Sequence, residues 1–350
     1  MSSIGTLFKV TTFGESHGSS VGCIIENVPS MLKISNSDIQ FQLNRRKPNQ
    51  NSLLSSRNEP DLVEIHSGIQ DGVTLGTPIC LLVKNCDMKP GDYKSFSNIP
   101  RPGHADLTYL CKYGVKSSSG GGRASARETI SRVAAGAIAD KYLNINFKTE
   151  IVSWVNSIGN IEIPKKIVAE IMNDNKITKK EIDYMGTFSI YQFKSSKIVY
   201  NKYLKRAFHA ECDSFTSDSN SEISTVEIKL ENLIFTLDEE DSNMCFDLFG
   251  GGGTVEKISY NENLYEYMED VNVRCPHPET AVKMICLIYK IKSEGDSIGG
   301  TVSCVIRNCP RSIGEPCFDK FEAELAKAIL SIPATKGFEI GSGFEGTKMK

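Results

Sequence analysis

The chain has 350 residues, 40% hydrophobic and 24% charged, with a formal net charge of −3. It is long enough for one large core or two ordinary ones, and its near-neutral charge excludes a global positive field that would draw in nucleic acid. Residues 1–7 have neither a basic nor an apolar signal region, and no run approaches the roughly 20 apolar residues of a membrane span, so a soluble, cytoplasmic protein is expected.

Residues 1–30 predict a strand, a glycine-bounded polar loop and a buried strand at 21–25. A short helix is predicted over 38–43, running into Arg45-Arg46-Lys47 before Pro48. Val63 to His66 alternates as a strand, and the unbroken apolar run 78–83 predicts a strand buried on both faces. The clearest helix spans 126–143. Ala126, Ile130, Val133, Ala134, Ala137 and Ile138 share one face, and Ser125 with Glu128 predicts a capping box.

Between about 163 and 268 the composition shifts to lysine pairs, a Ser/Asp stretch at 213–221, an acidic cluster at 238–241 and Gly250 to Gly253. That segment reads as an inserted, partly disordered surface excursion from a single domain spanning 1–350. Helices are predicted over about 279–292 and 318–330, with a strand at 301–306 between them. Eleven cysteines, mostly with apolar neighbours and without a C-x-x-C pair, predict buried thiols in a reducing compartment and no metal site.

Three polar patches fit no core. They are Gly14-Glu15-Ser16-His17-Gly18, Arg101-Pro102-Gly103-His104-Ala105-Asp106, and Gly120-Gly121-Gly122-Arg123-Ala124-Ser125-Ala126-Arg127-Glu128-Thr129. The glycine run admits close approach of a ligand, and the helix start after it offers unpaired N–H groups beside Arg123 and Arg127, which suit phosphate or carboxylate. A tight turn feeding a buried helix is the competing reading. His17 and His104 are candidate general acids, and their company with an anion site separates them from His66, His209 and His277, which read as structural. Arg45-Arg46-Lys47 reads either as an anion clamp or as a solvated turn, the turn being the default. The residues by themselves indicate an enzyme acting on a phosphorylated, acidic small molecule or cofactor.

At these patches the chain resembles the chorismate synthase family. Further matches are Arg45-Arg46-Lys47-Pro48, Glu294-Gly295-Asp296-Ser297, Gly314-Glu315-Pro316 and the stretch Ser331 to Gly337. The resemblance implies a layered α/β fold with sheets sandwiching helices, carrying a large surface insertion, and a homotetramer. It implies elimination of phosphate from 5-enolpyruvylshikimate 3-phosphate to give chorismate, with reduced FMN as cofactor and, in some members, NADPH as the flavin reductant. Neither a membrane nor a nucleic-acid partner is implied.

By position, His17 and His104 resemble the family's catalytic histidines. Ser16, Arg45, Arg46, Arg101 and Arg127 resemble substrate contacts, and Arg123, Ala124, Ser125, Pro333 and Ala334 resemble parts of the FMN site. Ser52 stands where compact members place an arginine. The resemblance also leads one to expect a further C-terminal segment with a catalytic aspartate, so a chain ending at Lys350 would lack it. The alternative that follows is a non-catalytic member retaining anion or flavin binding, or an interaction role.

Overall fold

The computed structural model describes residues 2–48, 50–55, 57–87, 99–117, 120–173, 177–193, 196–201, 203, 206–210, 231–237, 244–248, 256–259 and 266–350. They divide into two compact units, one of residues 1–49, 57–150 and 308–350, the other of 50–56 and 151–307.

The first unit opens with β1 (Ser3–Ile4), β2 (Lys9–Gly14) and β3 (Ser20–Glu26), followed by α1 (Asn36–Arg46) and β4 (Val63–Ser67). A two-stranded ribbon, β5 (Ile69–Gln70) with β6 (Val73–Thr74), precedes β7 (Ile79–Lys84). The main sheet is antiparallel throughout, in the order β1-β2-β3-β7-β4. Helices α2 (Asp106–Tyr113) and α3 (Thr129–Phe147) follow. Helix α1 starts where Ser35 and Asp38 form a capping box, and Lys141 of α3 pairs with Asp38 at 2.5 Å. Ile39 and Leu43 of α1 join Ala134, Ala135, Ala137 and Ile138 of α3 in one core over the sheet, the alanines letting the backbones approach.

Two local expectations fail for physical reasons. β7 is not buried on both faces. Ile79, Leu81 and Val83 are buried while Cys80 and Leu82 are only partly covered, because an antiparallel strand with helices on one side alternates. The capping box at Ser125 does not form. Two 3-10 turns, Gly122–Ala124 and Ala126–Glu128, precede α3, Ser125 Oγ accepts from Arg127 N, and the Glu128 carboxylate is spent elsewhere.

The second unit begins with β8 (Glu150–Ile158) and β9 (Ile161–Glu162), then α4 (Lys165–Asn173) and α5 (Lys179–Met185). Seven strands follow, β10 (Thr187–Phe193), β11 (Ser196–Asn201), β12 (Arg206–Ala210), β13 (Glu231–Leu237), β14 (Met244–Leu248), β15 (Glu256–Ser259) and β16 (Glu266–Asn272). They form one antiparallel sheet in the order β15-β14-β13-β12-β11-β10-β16. Helix α6 (Pro278–Ser293) and β17 (Gly300–Arg307) complete the unit, and α7 (Phe321–Leu330) returns to the first.

Within the segment expected as an insertion, described residues of α4, α5, β10 and β11 pack into the second unit's core. Ile171, Ile182, Phe188, Ile190 and Val199 are fully buried with Val152, Trp154 and α6, so the segment supplies core to the second unit. Apolar residues spaced on short elements between lysine pairs hide this in the sequence. The stretches 213–221, 238–241 and 250–253 lie outside the described residues.

The thiols also depart from expectation. Cys23, Cys275 and Cys286 are buried, whereas Cys86, Cys111, Cys304 and Cys317 are exposed. Apolar sequence neighbours do not bury a residue that strand alternation turns outward. Burial pushes the Cys23 thiol up to about 12 and Cys275 up to about 11.

Candidate active site

The loop between β2 and β3 carries the first polar patch. It leaves β2 at Gly14 with φ +91° and closes through Gly18 N donating to Glu15 O at 2.9 Å. Ser16 is 4% exposed, and its Oγ has no hydrogen-bond partner among the described residues. The Arg57 guanidinium lies 3.4 Å from His17 Nε2, so a hydrogen bond there uses the imidazole lone pair.

The glycine run lies directly on this loop. A Cβ at Gly120 (φ +63°) would fall 2.4 Å from His17 Cδ2, and one at Gly122 (φ +53°) would fall 2.5 Å from Glu15 Oε2. Glycine is required here because only bare backbone fits against those side chains. The reading of the run as a ligand cradle thus gains a second part, since its close approach is first to the protein's own histidine and glutamate.

Around them opens a cavity of about 510 Å³. Its walls are the His17 loop, Asp106, Tyr109 and Tyr113 of α2, the segment 115–117, and Gly121 to Arg123. Tyr109 and Tyr113 share one helix face with ring centroids 5.6 Å apart. The Asp106 carboxylate is held by Arg101 through bonds of 3.0 and 3.1 Å, with Lys116 at 3.8 Å, and its pKa falls to about 2 chiefly through the Arg101 bonds. Partial burial raises the pKa of Glu15, opposed by Arg123.

Arg123 is both wall and strut. It donates to Gly14 O at 3.0 Å, to Thr12 O at 3.1 Å and to Thr12 Oγ1, and stands 3.5 Å from Glu128. Glu128, buried, accepts from Thr12 Oγ1 and from Arg132 Nε, both at 2.8 Å. Arg132 in turn donates to Ser331 Oγ at 2.6 Å, two residues before Pro333. Ala334 adopts φ +68°, a left-handed conformation that strains a non-glycine residue. Of the five residues expected at the FMN site, Arg123 lines the cavity, whereas Ala124, Ser125, Pro333 and Ala334 do not.

The expected substrate arginines are engaged internally. Arg127, 6% exposed, bonds Asp61 Oδ1 at 2.9 Å, Asn85 Oδ1 at 2.6 Å and Lys84 O at 3.3 Å, and pairs with Glu59 at 3.2 Å. Arg46 takes the other oxygen of Asp61 at 2.6 Å and reaches Thr129 Oγ1 at 3.3 Å. The default of a solvated basic turn therefore fails at Arg46, which desolvation alone would push toward the neutral form and Asp61 holds charged. Arg45, by contrast, bonds Gln42 on its own helix. In this geometry Arg46, Arg101 and Arg127 meet the protein's own carboxylates, and a direct ligand contact would require exchanging them.

His104 is exposed, with Nδ1 3.0 Å from Pro102 O, and is not in the cavity wall, although Ala105 and Asp106 beside it are. His66 sits 3.3 Å from Glu64, and His277 caps α6 near Thr280. Glu294-Gly295-Asp296-Ser297 lies in the second unit, where Asp296 and Ser297 line another cavity of about 450 Å³.

Sequence reasoning missed Glu59, Asp61, Asn85, Lys116 and the two tyrosines. The tyrosines' i, i+4 spacing on a short helix was a legible signal. Nothing local marks Asp61 or Asn85, whose partners are distant in sequence.

A cavity in an α/β unit, walled by a histidine, two basic and two acidic side chains and glycine backbone, is the kind of concave, polar-studded site at which enzymes bind small molecules. The family model described as chorismate synthase matches residues 8–350. The chain is 47% identical over 350 residues to the chorismate synthase of Schizosaccharomyces pombe, spanning all of this chain and 71% of that one. It is 42% identical over 363 residues to the Plasmodium falciparum chorismate synthase, spanning 66% of that chain. A crystal structure of chorismate synthase superposes with a TM-score of 0.59 at 25% identity, covering 97% of this chain and 70% of that one. The chain belongs to the chorismate synthase family. The match runs along this whole chain, which spans 71% and 66% of these two relatives' own lengths. No observation favours the non-catalytic alternative. No helix among the described residues is long and apolar enough to cross a membrane.

Proposed function

We infer that this chain converts 5-enolpyruvylshikimate 3-phosphate to chorismate by eliminating phosphate, in a reaction that requires reduced FMN. The observation that carries this reading is the His17–Ser16 loop packed under Gly120 to Gly122 at the wall of a cavity holding Arg123 and Lys116. The donor set fits a flavin phosphate or a phosphorylated substrate, because Arg123 and Lys116 on the cavity wall suit multiply charged oxygens, with the buried Ser16 Oγ on the same loop as His17. Tyr109 and Tyr113 add an aromatic wall suited to a planar ring.

In this reading Arg123 and Lys116 hold phosphate, Ser16 donates its hydroxyl, and His17 supplies or receives the proton at its ring nitrogen. His104, next to the cavity-lining Ala105, is the second histidine of the proposal. Arg46, Arg101 and Arg127 orient the site through their carboxylate partners, Arg45 is the outer member of the Arg45-Arg46-Lys47 run, and Ala124, Ser125, Pro333 and Ala334 border the flavin. When bound, reduced flavin supplies electron density transiently, with no net redox change. Homotetrameric assembly, a cytoplasmic location and NADPH as flavin reductant belong to the same proposal and rest on family membership.

The test is anaerobic turnover of 5-enolpyruvylshikimate 3-phosphate by the purified chain with chemically reduced FMN, followed by chorismate absorbance. His17→Ala is expected to lower kcat by about 10²–10⁴-fold while the melting temperature stays near wild type. Turnover undiminished in that variant would remove His17 from the chemistry.

A further inference from the structure

We propose that Asn85 is a positioning residue for His17, acting as the clamp that fixes the loop between Glu15 and Gly18. The proposal rests on the reading of His17 as the proton-transfer group.

Asn85 directly follows the last residue of β7 and is 6% exposed. Its Nδ2 donates to Gly18 O at 2.6 Å and to Glu15 O at 3.0 Å, the carbonyls at the two ends of the turn that carries Ser16 and His17. Its main-chain N–H donates to Ser19 O at 3.0 Å. Its Oδ1 accepts from Arg127 Nε at 2.6 Å. The orientation of the amide follows from its neighbours, because two carbonyl oxygens demand the NH₂ and a guanidinium demands the oxygen. One side chain thus joins the His17 loop to Arg127, which is locked in turn by Asp61 and Glu59.

Only a carboxamide satisfies both sides. A carboxylate would keep and strengthen the Arg127 contact but set an oxygen against two carbonyls. That asymmetry separates positioning from mere structural support. Asn85→Asp retains the framework bond and releases only the loop.

The experiment measures three things on wild type and Asn85→Asp: kcat and KM with reduced FMN, amide exchange of residues 15–19, and the His17 imidazole resonances, assigned by their loss in His17→Gln. The variant is expected to lose kcat by about 100-fold with a much smaller change in KM, since misplacing a reacting group by about 1 Å has that effect. Loop amides should exchange about tenfold faster, and the His17 resonances should move while those of His66 and His277 stay. Wild-type kcat together with unmoved His17 resonances would overturn the clamp. If wild type itself gives no turnover, the functional reading falls, while the resonances and exchange still decide the clamp. Should Asn85→Asp not fold, Asn85→Ala, which adds no charge, decides it by the same resonances and exchange.

Discussion

The first unit holds two clusters built from the same residue types and used to opposite ends. In the interior, Arg46, Arg127, Asp61 and Glu59 form a quartet of two cations and two anions, with Asp61 0% and Arg127 6% exposed. At the cavity, Arg123, Lys116, Asp106 and Glu15 face open space beside His17. The inner quartet is closed on itself, so its charges are matched by protein and their value lies in geometry. The outer group lines the cavity, where Lys116 pairs with Asp106 and Arg123 with Glu128. Access to the cavity, rather than burial or residue type, separates the two groups: the Arg46 side chain is 18% exposed, against 17% for Arg123 and 10% for Lys116, yet neither Arg46 nor Arg127 lines the cavity.

The comparison breaks most visibly at Asp61. Asp61→Ala would remove the buried carboxylate shared by Arg46 and the buried Arg127, and a loss of about 3–5 kcal/mol in unfolding free energy is expected by denaturant titration. A variant within about 1 kcal/mol of wild type would mean that the quartet is not a framework at all.

A smaller effect on stability and a sharper one on turnover is expected at Gly120. Alanine there meets His17 Cδ2 at 2.4 Å in a left-handed backbone, whereas alanine at Gly72, with φ +77° and nothing within 4 Å, suffers backbone strain alone. Both should lose about 1–2 kcal/mol by thermal or chemical melting, but only Gly120→Ala should lower kcat by about 100-fold. Equal kinetics in the two variants would uncouple the glycine run from His17.

The mildest test concerns Asp106. Its folded pKa of about 2 lies below an unfolded value near 4, so its contribution is complete above about pH 4 and disappears as pH falls through 2. Asp106→Asn should flatten the stability-versus-pH slope in that window and leave the slope above pH 5 unchanged. An unaltered acid slope would show that the Arg101 pairing contributes nothing to folding.

Part of the candidate site was legible before the fold: His17 and Arg123 sit beside glycines in polar stretches, and both line the cavity. The helices α1, α3, α6 and α7 were readable from apolar spacing, although the starts of α3 and α7 shifted because local turns took their first residues. The sequence offered no such pattern for the second unit's core, where Ile171, Ile182, Phe188, Ile190 and Val199 lie on short elements amid charged runs.

What the chain determines by itself is local. A glycine with positive φ, an N-cap serine or an apolar face each depends on residues within a few positions, and periodicity records them. Only the tertiary structure decided which cations meet buried carboxylates and which reach the cavity wall. Arg46, Asp61, Asn85 and Arg127 are brought together over 81 residues of chain by the packing of α1 and α3 on one sheet. A charge's role depends on how much water and how many opposite charges surround it, and those surroundings come into being only when distant segments meet.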